Sequence, residues 1–514
     1  MDYIKNVGFL LLIISAFACD NSQKKSKKEY GVHFSTGDAM LIEPVGLLFF
    51  NKSYHLFFEY CTNTDTKVLG HAQSTDLLNW QEAPIKISSE WNYINGRGCF
   101  VFDHGNSSSL GNANSPLVGI FASFSDNKTE TEKKQQALYL VFSTDYGVNW
   151  NEYGQAQVDI ENFNLPISSI KVVWHEETQK WIMLILSGYN IRFYLSDDLI
   201  NWEYLSMFGD EVFAKEGEWT KLDFFPLDVK ETNESKWVLL VSGDSGSPNQ
   251  GSGIQYFTGD FDGYVFKADR DKPKWLDNGS DNYLGIVLSD YLLNAKDAVF
   301  LGSICNLKYR RQGDTENSAN ELTVPRRLNL SNSFNGLSIL SKPFDELAAI
   351  ESDKKQLKET QFSGELKIKE TFDIPFEINL LVDGDDRLYL DMAKVFGIKF
   401  SNNAGDQLVI GYHNQRAYFF ILDPTKNSKD IQESKGFDYA PYVSNKQPID
   451  LEIIVDKNSI ELFALDGLIS LTRKYSFEES QLEVTLYTEE GNITIKEASI
   501  SLLNGVLQGC AVLN

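Results

Sequence analysis

The chain has 514 residues, which is too long for one ordinary domain and suggests two or more. Hydrophobic residues make up 42% and charged residues 23%, a composition that is typical of globular proteins and excludes a disordered chain. The net charge of −25 argues against nucleic acid and against anionic lipid as direct partners, because both require a basic surface.

The N-terminus, MDYIKNVGFLLLIISAFACD, has the pattern of an export signal. Lys5 precedes an apolar run that is too short to span a membrane as a mature helix, and small residues lead to Cys19. We predict a signal peptide over 1–18, a lipidated Cys19, and a polar tether over 19–30. The alternative is a plain secretory signal cut nearby. Either an outer-surface or a periplasm-facing location fits, with membrane contact only through the lipid anchor.

From residue 31 to residue 342 the apolar pattern is that of short β-strands separated by Gly, Asn, Asp and Ser turns. Five similar apolar strands recur at intervals of about 50–65 residues. This spacing predicts five propeller blades, each a small antiparallel sheet, and it is a better fit than a generic β-sandwich array. The five strands are YHLFFEY (54–60), PLVGIFASF (116–124), WIMLILSG (181–188), WVLLVSGD (237–244) and VFLGSICN (299–306).

A turn motif repeats within this region as STDLLNW (74–80), STDYGVNW (143–150) and SDDLINW (196–202). Each copy has a Ser, an Asp and a closing Trp. We predict that the Asp caps the turn through backbone N–H groups and that the Trp packs beneath it.

The segment PFDELAAIESDKKQLKE (343–359) is predicted to be a linker helix. Residues 360–514 then return to alternating strands and predict a separate β-sandwich. The predicted fold class is therefore all-β, a five-bladed β-propeller followed by a β-sandwich.

Six further stretches form a recognisable set of motifs: YHLFFEY (54–60), LGHAQSTDLLNW (69–80), KVVWHEETQKWIML (171–184), GSGIQYFTGDFDG (251–263), VPRRL (324–328) and SIELFALDG (459–467). Together they resemble glycoside hydrolase family 32, the levanases, inulinases and invertases that cleave β-fructosides. The resemblance covers nearly the whole mature chain and implies the same propeller-plus-sandwich fold.

The three carboxylate positions of the family are altered in this chain. The nucleophile motif W-M-N-D-P-N-G matches MLIEPVG (40–46), so Glu43 stands at the place of the Asp. The Asp of the R-D-P motif corresponds to Ser169, within Ser168-Ser169-Ile170. The general-acid Glu of W-E-C-P-D-L-F corresponds to Thr220, and the next residue is Lys221.

Two further sugar-contacting positions differ from the family pattern. Glu59 stands at the Gln of YHLFYQY, and Arg97 lies in Gly96-Arg97-Gly98-Cys99, which replaces F-S-G-S. We predict ligand contacts from these two residues together with Ser168, Ser169, Thr220 and Lys221. Another interpretation is that Glu43 or Glu59 forms a structural ion pair with Arg97 or Lys221, because buried charges require partners.

Retaining glycosidases need one carboxyl group to attack and another to protonate the leaving oxygen, and a Thr hydroxyl is too weak an acid for the second task. We therefore predict an inactive β-fructosidase-like protein that binds a glycan such as a fructan. Two alternatives stay open: an active glycosidase that uses Glu43 with a shifted acid, and a propeller that binds a protein.

No cofactor or metal is predicted. His55, His71 and His175 have the contexts of packed or capping residues. The motif GDSGSP (243–248) resembles a serine-protease sequence but lacks a His-bearing partner motif. Four further cysteines could form disulfides in an exported protein, and their pairing is left open: Cys61, Cys99, Cys305 and Cys510.

Overall fold

The computed structural model describes residues 30–507, with gaps. The predicted signal peptide, Cys19 and nearly all of the tether lie outside the described residues, as does Cys510. The gaps are 38, 62–66, 89–90, 92, 112–114, 126–134, 161–162, 164, 210–216, 233, 271, 289–297, 311–320, 384–392, 425–435, 444–447 and 478.

Five separate antiparallel sheets follow one another along the chain after the short strand β1 (Tyr30–Gly31), and each sheet is one blade of a β-propeller. The first blade contains β2 (Met40–Phe50), β3 (Ser53–Cys61), β4 (Lys67–Ser74) and β5 (Gln81–Glu82). The second contains β6 (Cys99–Phe102), β7 (Leu117–Ser125), β8 (Gln135–Ser143) and β9 (Asn151–Gln155). The third contains β10 (Ile167–His175), β11 (Lys180–Ser187), β12 (Asn190–Ser196) and β13 (Glu203–Phe208).

The fourth and fifth blades complete the ring. The fourth contains β14 (Trp219–Asp228), β15 (Ser235–Gly243), β16 (Gly253–Phe261), β17 (Phe266–Ala268) and β18 (Lys274–Trp275). The fifth contains β19 (Tyr283–Leu288), β20 (Ala298–Ser303), helix α1 (Leu307–Arg310), β21 (Arg326–Ser333) and β22 (Gly336–Pro343). Among the described residues, no helix has the length and hydropathy needed to cross a membrane.

The five apolar repeats are confirmed as the second strands of the five blades, β3, β7, β11, β15 and β20. Each lies inside its sheet with blades packed on both faces, so its side chains are apolar in a continuous run. The first strand of each blade lines the central axis of the ring. The beginnings of these first strands therefore surround one end of the axis, which we call the mouth.

The repeated turns cap the blades as predicted. The Asp76 carboxylate accepts backbone N–H groups two and three residues further on, at 2.9 and 2.7 Å. The Trp80 indole donates to the carbonyl of Leu77 at 2.7 Å, and Leu77 adopts a left-handed backbone conformation. The turns at 143–150 and 196–202 repeat the carboxylate cap and the indole hydrogen bond.

The linker prediction is wrong beyond Ile350. A short 3-10 helix covers Asp345–Ile350, and Glu351–Leu357 is strand β23. This strand pairs with a long strand of the sandwich, and its polar side chains are mostly exposed. The pairing supplies tertiary hydrogen bonds that outweigh the local helix preference of a Lys- and Glu-rich segment.

The β-sandwich is built around one long strand, β33 (Gln481–Leu503), which pairs with four others. Its main core is a large apolar cluster, mostly of Ile, Leu, Val and Phe side chains. A smaller cluster contains Val395, Val409, Phe420 and Tyr487. The short β1 pairs with β34 (Val506–Leu507) and so joins the first and last described segments. The strands are β24 (Thr360–Asp373), β25 (Phe376–Asp383), β26 (Val395–Ser401), β27 (Gln407–His413), β28 (Tyr418–Leu422), β29 (Phe437–Pro441), β30 (Ile449–Val455), β31 (Ser459–Ala464), β32 (Ile469–Lys474), β33 (Gln481–Leu503) and β34 (Val506–Leu507).

A buried ionic network joins the propeller to the sandwich. Arg326 on β21 is fully buried and donates to Glu461 of the sandwich and to Asp277 of the propeller, the latter at 2.8 Å. His33 bridges Asp456 and Glu461 at 2.8 and 2.7 Å. The sequence motifs VPRRL and SIELFALDG thus meet here, which indicates that these two motifs are structural.

His33 gives the junction a defined pH dependence. Burial opposes its charged form, but hydrogen bonds and charges from Asp456 and Glu461 outweigh burial and raise the pKa of His33 from 6.5 to about 10. A group with a raised pKa in the folded state stabilises the fold, and this stabilisation is complete below the pKa of the unfolded state. The stabilisation is lost as the pH rises through the pKa of the folded state. The free energy of unfolding should therefore be higher for wild type than for His33→Gln, and this difference should be largest below pH 6.5. The difference should shrink as the pH rises to about 10. Urea titrations of both proteins across this range check it, and a constant difference would contradict it.

Candidate functional site

Residues from three blades meet at the mouth. Glu43 lies near the start of β2, Ser168 and Ser169 near the start of β10, and Thr220 and Lys221 near the start of β14. Hydrogen bonds tie these strands to one another, because Ser169 Oγ accepts the backbone N–H of Leu222 at 3.3 Å. The structure thus brings together five of the residues singled out from the sequence.

Glu43 and Lys221 form a buried ion pair between the first and fourth blades. Lys221 Nζ lies 2.8 Å from Glu43 Oε2, and the two side chains are 5% and 17% exposed, respectively. Burial raises the pKa of Glu43, and the charge and hydrogen bond of Lys221 act against that rise. The carboxylate at the nucleophile position therefore has a cation as its immediate neighbour, as the ion-pair interpretation predicted.

Glycine at position 96 makes room for the Glu43 carboxyl group. A Cβ atom on Gly96 would lie 1.8 Å from Glu43 Oε1, well inside van der Waals contact. The next residue, Arg97, is exposed, and no described carboxylate forms an ion pair with it. Arg97 is therefore placed at the rim of the pocket that holds Glu43.

Gly96→Ala should disturb this packing directly. The added methyl group must displace the Glu43 carboxyl group, so we expect the free energy of unfolding to fall by about 1–3 kcal/mol. Gly105→Ala is the matched control, because nothing lies within 4 Å of the corresponding Cβ position. Denaturant titration of both variants checks this, and equal stabilities would show that Glu43 is not clamped by Gly96.

Thr220, at the general-acid position, forms hydrogen bonds with uncharged groups. Its hydroxyl donates to the carbonyl of Ser242 at 3.1 Å, and Thr220 Oγ1 lies 2.5 Å from the hydroxyl of Tyr283. Since the single Thr220 proton goes to Ser242, the Tyr283 hydroxyl donates to Thr220. No carboxyl group takes part in these described contacts.

Ser168 and Ser169 use their hydroxyls within the protein. Ser168 Oγ lies 3.3 Å from the carbonyls of Leu186 and Trp219, and so links the third and fourth blades. Ser169 is buried at 2% exposure and receives the backbone hydrogen bond already described. Neither residue brings a charge to the mouth.

Glu59 lies opposite Glu43 in the register of β2 and β3. Its partner is Lys67, at 3.1 Å, and not Arg97 or Lys221. The Glu59 side chain is 3% exposed, whereas that of Lys67 is 62% exposed. The ion-pair interpretation, that either Glu43 or Glu59 pairs with Arg97 or Lys221, is therefore confirmed through Glu43. The pairing of Glu59 with Lys67 was not predicted, because only the strand register brings these two residues together.

Below the mouth, the axial cavity is narrow. Its volume is about 80 Å³, which is room for a few water molecules and not for a sugar ring. Asp223 is held there by Lys171 at 2.8 Å and by the backbone N–H of Val287 at 2.9 Å. These contacts give Asp223 a structural role, and the cavity around it is too small for a sugar ring.

Two residues near Thr220 were missed by sequence reasoning. Tyr283 is buried at the start of β19, and its pKa is raised by burial and further by the charges of Glu43 and Asp244. Asp244 follows β15, and its Oδ1 accepts the backbone N–H of Glu218 at 2.8 Å. The only available signal was that Asp244 ends an apolar repeat strand, which is also where a turn residue is expected.

The remaining polar candidates are structural. His55 Nδ1 and His71 Nε2 are 3.0 Å apart, and burial lowers the pKa values of these residues to about 3 and about 4, respectively. His175 bonds to Thr178 in a turn. Within the described ranges, no disulfide joins the three cysteines, and no group of three or more His, Cys, Asp or Glu side chains is arranged to hold a metal.

The fold and the mouth define the class of protein: a β-fructosidase-like protein with the architecture of a propeller-plus-sandwich glycoside hydrolase. The family model described as "Glycosyl hydrolases family 32 N-terminal domain" matches residues 33–343. The family model described as "Glycosyl hydrolases family 32 C terminal" matches residues 345–501. The chain therefore belongs to glycoside hydrolase family 32.

Similar proteins span most of the chain. A levanase from Bacillus subtilis is 28% identical over 522 aligned positions, covering 97% of this chain and 74% of the levanase. An extracellular exo-inulinase from Aspergillus niger is 29% identical, covering 86% of this chain and 88% of that protein. The crystal structure of an exo-inulinase from Aspergillus awamori superposes with a TM-score of 0.80 at 24% identity, covering 93% and 98% of the two chains. That similarity confirms the fold.

Proposed function

We propose that this protein is an exported, lipid-anchored member of the family that binds a glycan at the propeller mouth and does not hydrolyse it. The single observation behind this proposal is the environment of Thr220. A hydroxyl that is bonded to Tyr283 and to a backbone carbonyl stands where the family has its proton donor. A fructan is the ligand favoured by the similarity to a levanase and an exo-inulinase.

Loss of the proton donor is a large chemical deficit. A positioned general acid contributes roughly 10²–10⁴-fold to the rate, and a sugar alkoxide is a poor leaving group without it. The Thr220 hydroxyl stays protonated near neutral pH and cannot take over this role. Cleavage of an ordinary glycosidic bond at this site would therefore be slow even with a competent nucleophile.

The nucleophile position is also altered. Glu43 is one methylene longer than the Asp of the family, and a displacement of about 1 Å can cost on the order of 10²-fold in rate. Its carboxylate is in addition engaged by Lys221 at 2.8 Å. These two deficits fall on one catalytic unit and are not additive.

The altered mouth carries groups suited to holding sugar hydroxyls. The exposed Arg97 and Lys67 offer donors, and the Glu43–Lys221 pair offers both signs of charge in a fixed geometry. Hydrogen bonds to charged groups contribute about 1.5–3 kcal/mol each. Binding without turnover is the behaviour that such a set of groups supports.

The lipid anchor is a proposal from the sequence alone. Cys19 closes an apolar run and precedes a polar segment, DNSQKKSKKEY, that would hold the propeller away from a membrane. Metabolic labelling with a fatty acid analogue tests it: wild type should incorporate the label, Cys19→Ala should not, and label in both would contradict it.

Calorimetric titration with inulin and levan oligosaccharides tests the binding proposal. Wild type should bind at least one of them, and Arg97→Ala should weaken that binding by about tenfold or more. Phe334→Ala is the matched control, because Phe334 is 93% exposed on the β21–β22 turn of the fifth blade. Equal binding by wild type, Arg97→Ala and Phe334→Ala would contradict the proposal that the glycan binds at the mouth. No binding to any glycan, with capture of a protein partner instead, would favour an interaction propeller.

A second candidate function is a working glycosidase that uses Glu43 with a shifted acid. The observation in its favour is Asp244, a carboxyl group whose charge acts on the same Tyr283 that contacts Thr220. Against it, Asp244 Oδ1 already accepts hydrogen bonds from Glu218 and Ser245. Hydrolysis that both Glu43→Gln and Asp244→Asn abolish would establish this function in place of the first.

A further inference from the structure

A basic cleft lies on the outside of the propeller, between the fourth and fifth blades. Its volume is about 210 Å³, and residues of both blades line it. We propose that this cleft binds a small oxyanion, a sulfate or phosphate group that is either free or carried on a monosaccharide. Four basic side chains line it: Lys236, Arg270, Lys272 and Lys274.

The charge of the cleft is opposite to that of the chain. The protein has 72 acidic and 47 basic residues, so a cleft lined by four basic side chains and one carboxylate, Asp269, is unexpected. Asp260 and Asp269 are present, but both form ion pairs with Lys236, at 2.9 and 3.5 Å. Among the described residues, no carboxylate forms an ion pair with the other three cations, Arg270, Lys272 and Lys274.

A glycine of the neighbouring blade leaves room for the Arg270 guanidinium. A Cβ atom on Gly336 would lie 2.5 Å from Arg270 Nη2, so the guanidinium lies against the bare backbone at that point. Gly336 also has a left-handed backbone conformation, which favours glycine there. A guanidinium presents planar paired donors that match sulfate and phosphate oxygens.

Lys274 adds a partly buried charge to the same cleft. Its ammonium group crosses to the fifth blade and donates to the carbonyl of Leu337 at 2.6 Å and to Ser338 Oγ at 2.8 Å. These acceptors are neutral. Burial, followed by the charge of Arg270, lowers the pKa of Lys274 to about 8. An anion in the cleft would offset the repulsion between these two cations.

The size of the cleft limits the ligand. Pockets for drug-sized ligands run from roughly 300 to 1,000 Å³, and this cleft is smaller. One sulfate or phosphate group fits, with at most a single sugar ring attached. An extended glycan does not fit in the cleft. The cleft is therefore a different site from the mouth, where a glycan is proposed to bind.

Calorimetric titration with sodium sulfate and sodium phosphate, at an ionic strength held constant with sodium chloride, tests the proposal. Wild type should show saturable binding of at least one oxyanion, and Arg270→Gln should weaken it by tenfold or more. Lys367→Gln is the matched control, because Lys367 is 58% exposed and pairs with Glu483 on the sandwich. The control should bind as wild type does.

Two further probes distinguish the source of the anion. Tighter binding of glucose 6-sulfate or fructose 6-phosphate than of the inorganic ions would identify a sugar ester as the ligand. Equal binding would identify the free ion. No saturation up to about 10 mM, a range that detects a millimolar Kd, would overturn the proposal. Unchanged binding in Arg270→Gln would overturn it as well. Neither readout depends on glycan binding at the mouth.

Discussion

Restoring a carboxyl group at position 220 is expected to raise sucrose hydrolysis by about 10²–10⁴-fold when the neighbouring family residues are also restored. The comparison is between two variants. One carries Glu43→Asp, Ser169→Asp and Lys221→Cys, and the other carries Thr220→Glu in addition. The physical reason is that the added carboxyl group can protonate the departing sugar oxygen. Initial rates of glucose release from sucrose measure the effect.

A substrate that needs no proton donor supplies the control for this pair. β-Fructosyl fluoride releases fluoride, which departs without protonation, so both variants should release the first equivalent of fluoride at similar rates. The comparison is limited to this first equivalent, because the carboxyl group at position 220 also acts as the base in the later attack of water on the fructosyl-enzyme. Equal sucrose rates in the two variants would show that position 220 is not where the proton must be supplied. Fluoride release by both variants also confirms that each one is folded with a competent nucleophile.

Arg326→Leu is expected to lower the free energy of unfolding by about 3–5 kcal/mol. The substitution leaves Asp277 and Glu461 buried without their shared cation, and the side chains of these two acids are 1% and 0% exposed. The Arg326 guanidinium also contacts the ring of Phe463, 4.9 Å away. Urea denaturation of the purified protein measures the change.

The adjacent Arg327→Leu is the matched control for this substitution. Arg327 is 28% exposed, and its partner Asp345 is 81% exposed, so this pair is screened by solvent. A surface pair of this kind contributes about 0–1 kcal/mol. Similar losses in the two variants would contradict the view that the junction depends on Arg326.

The sequence predicts the blades because each blade repeats local rules. The Ser-Asp-Trp turns bring their own carboxylate cap and indole hydrogen bond, so the residues that define them lie within seven or eight positions of one another. The buried second strands are continuous apolar runs. The linker was mispredicted for the opposite reason, since Glu351–Leu357 becomes a strand only by pairing with β33, some 150 residues further along the chain.

The sequence predicts which residues lie at the site but not which contacts these residues form. Motif matching places Glu43, Ser169 and Thr220 at the mouth, but 178 positions separate Glu43 from Lys221, and nothing local indicates that they pair. Lys67 became the partner of Glu59 through strand register. Tyr283 and Asp244 carry no local signature, so only the closed ring of blades reveals that they lie near Thr220.

Among the described residues, the hydrogen bonds of the Thr220 hydroxyl involve no carboxyl group, and we propose that the mouth therefore lacks a proton donor. To test this proposal, fructose release from sucrose, inulin and levan by the wild-type protein is measured beside Glu43→Gln and Asp244→Asn. All three proteins should show the same background rate. Fructose release by wild type that either substitution abolishes would contradict it.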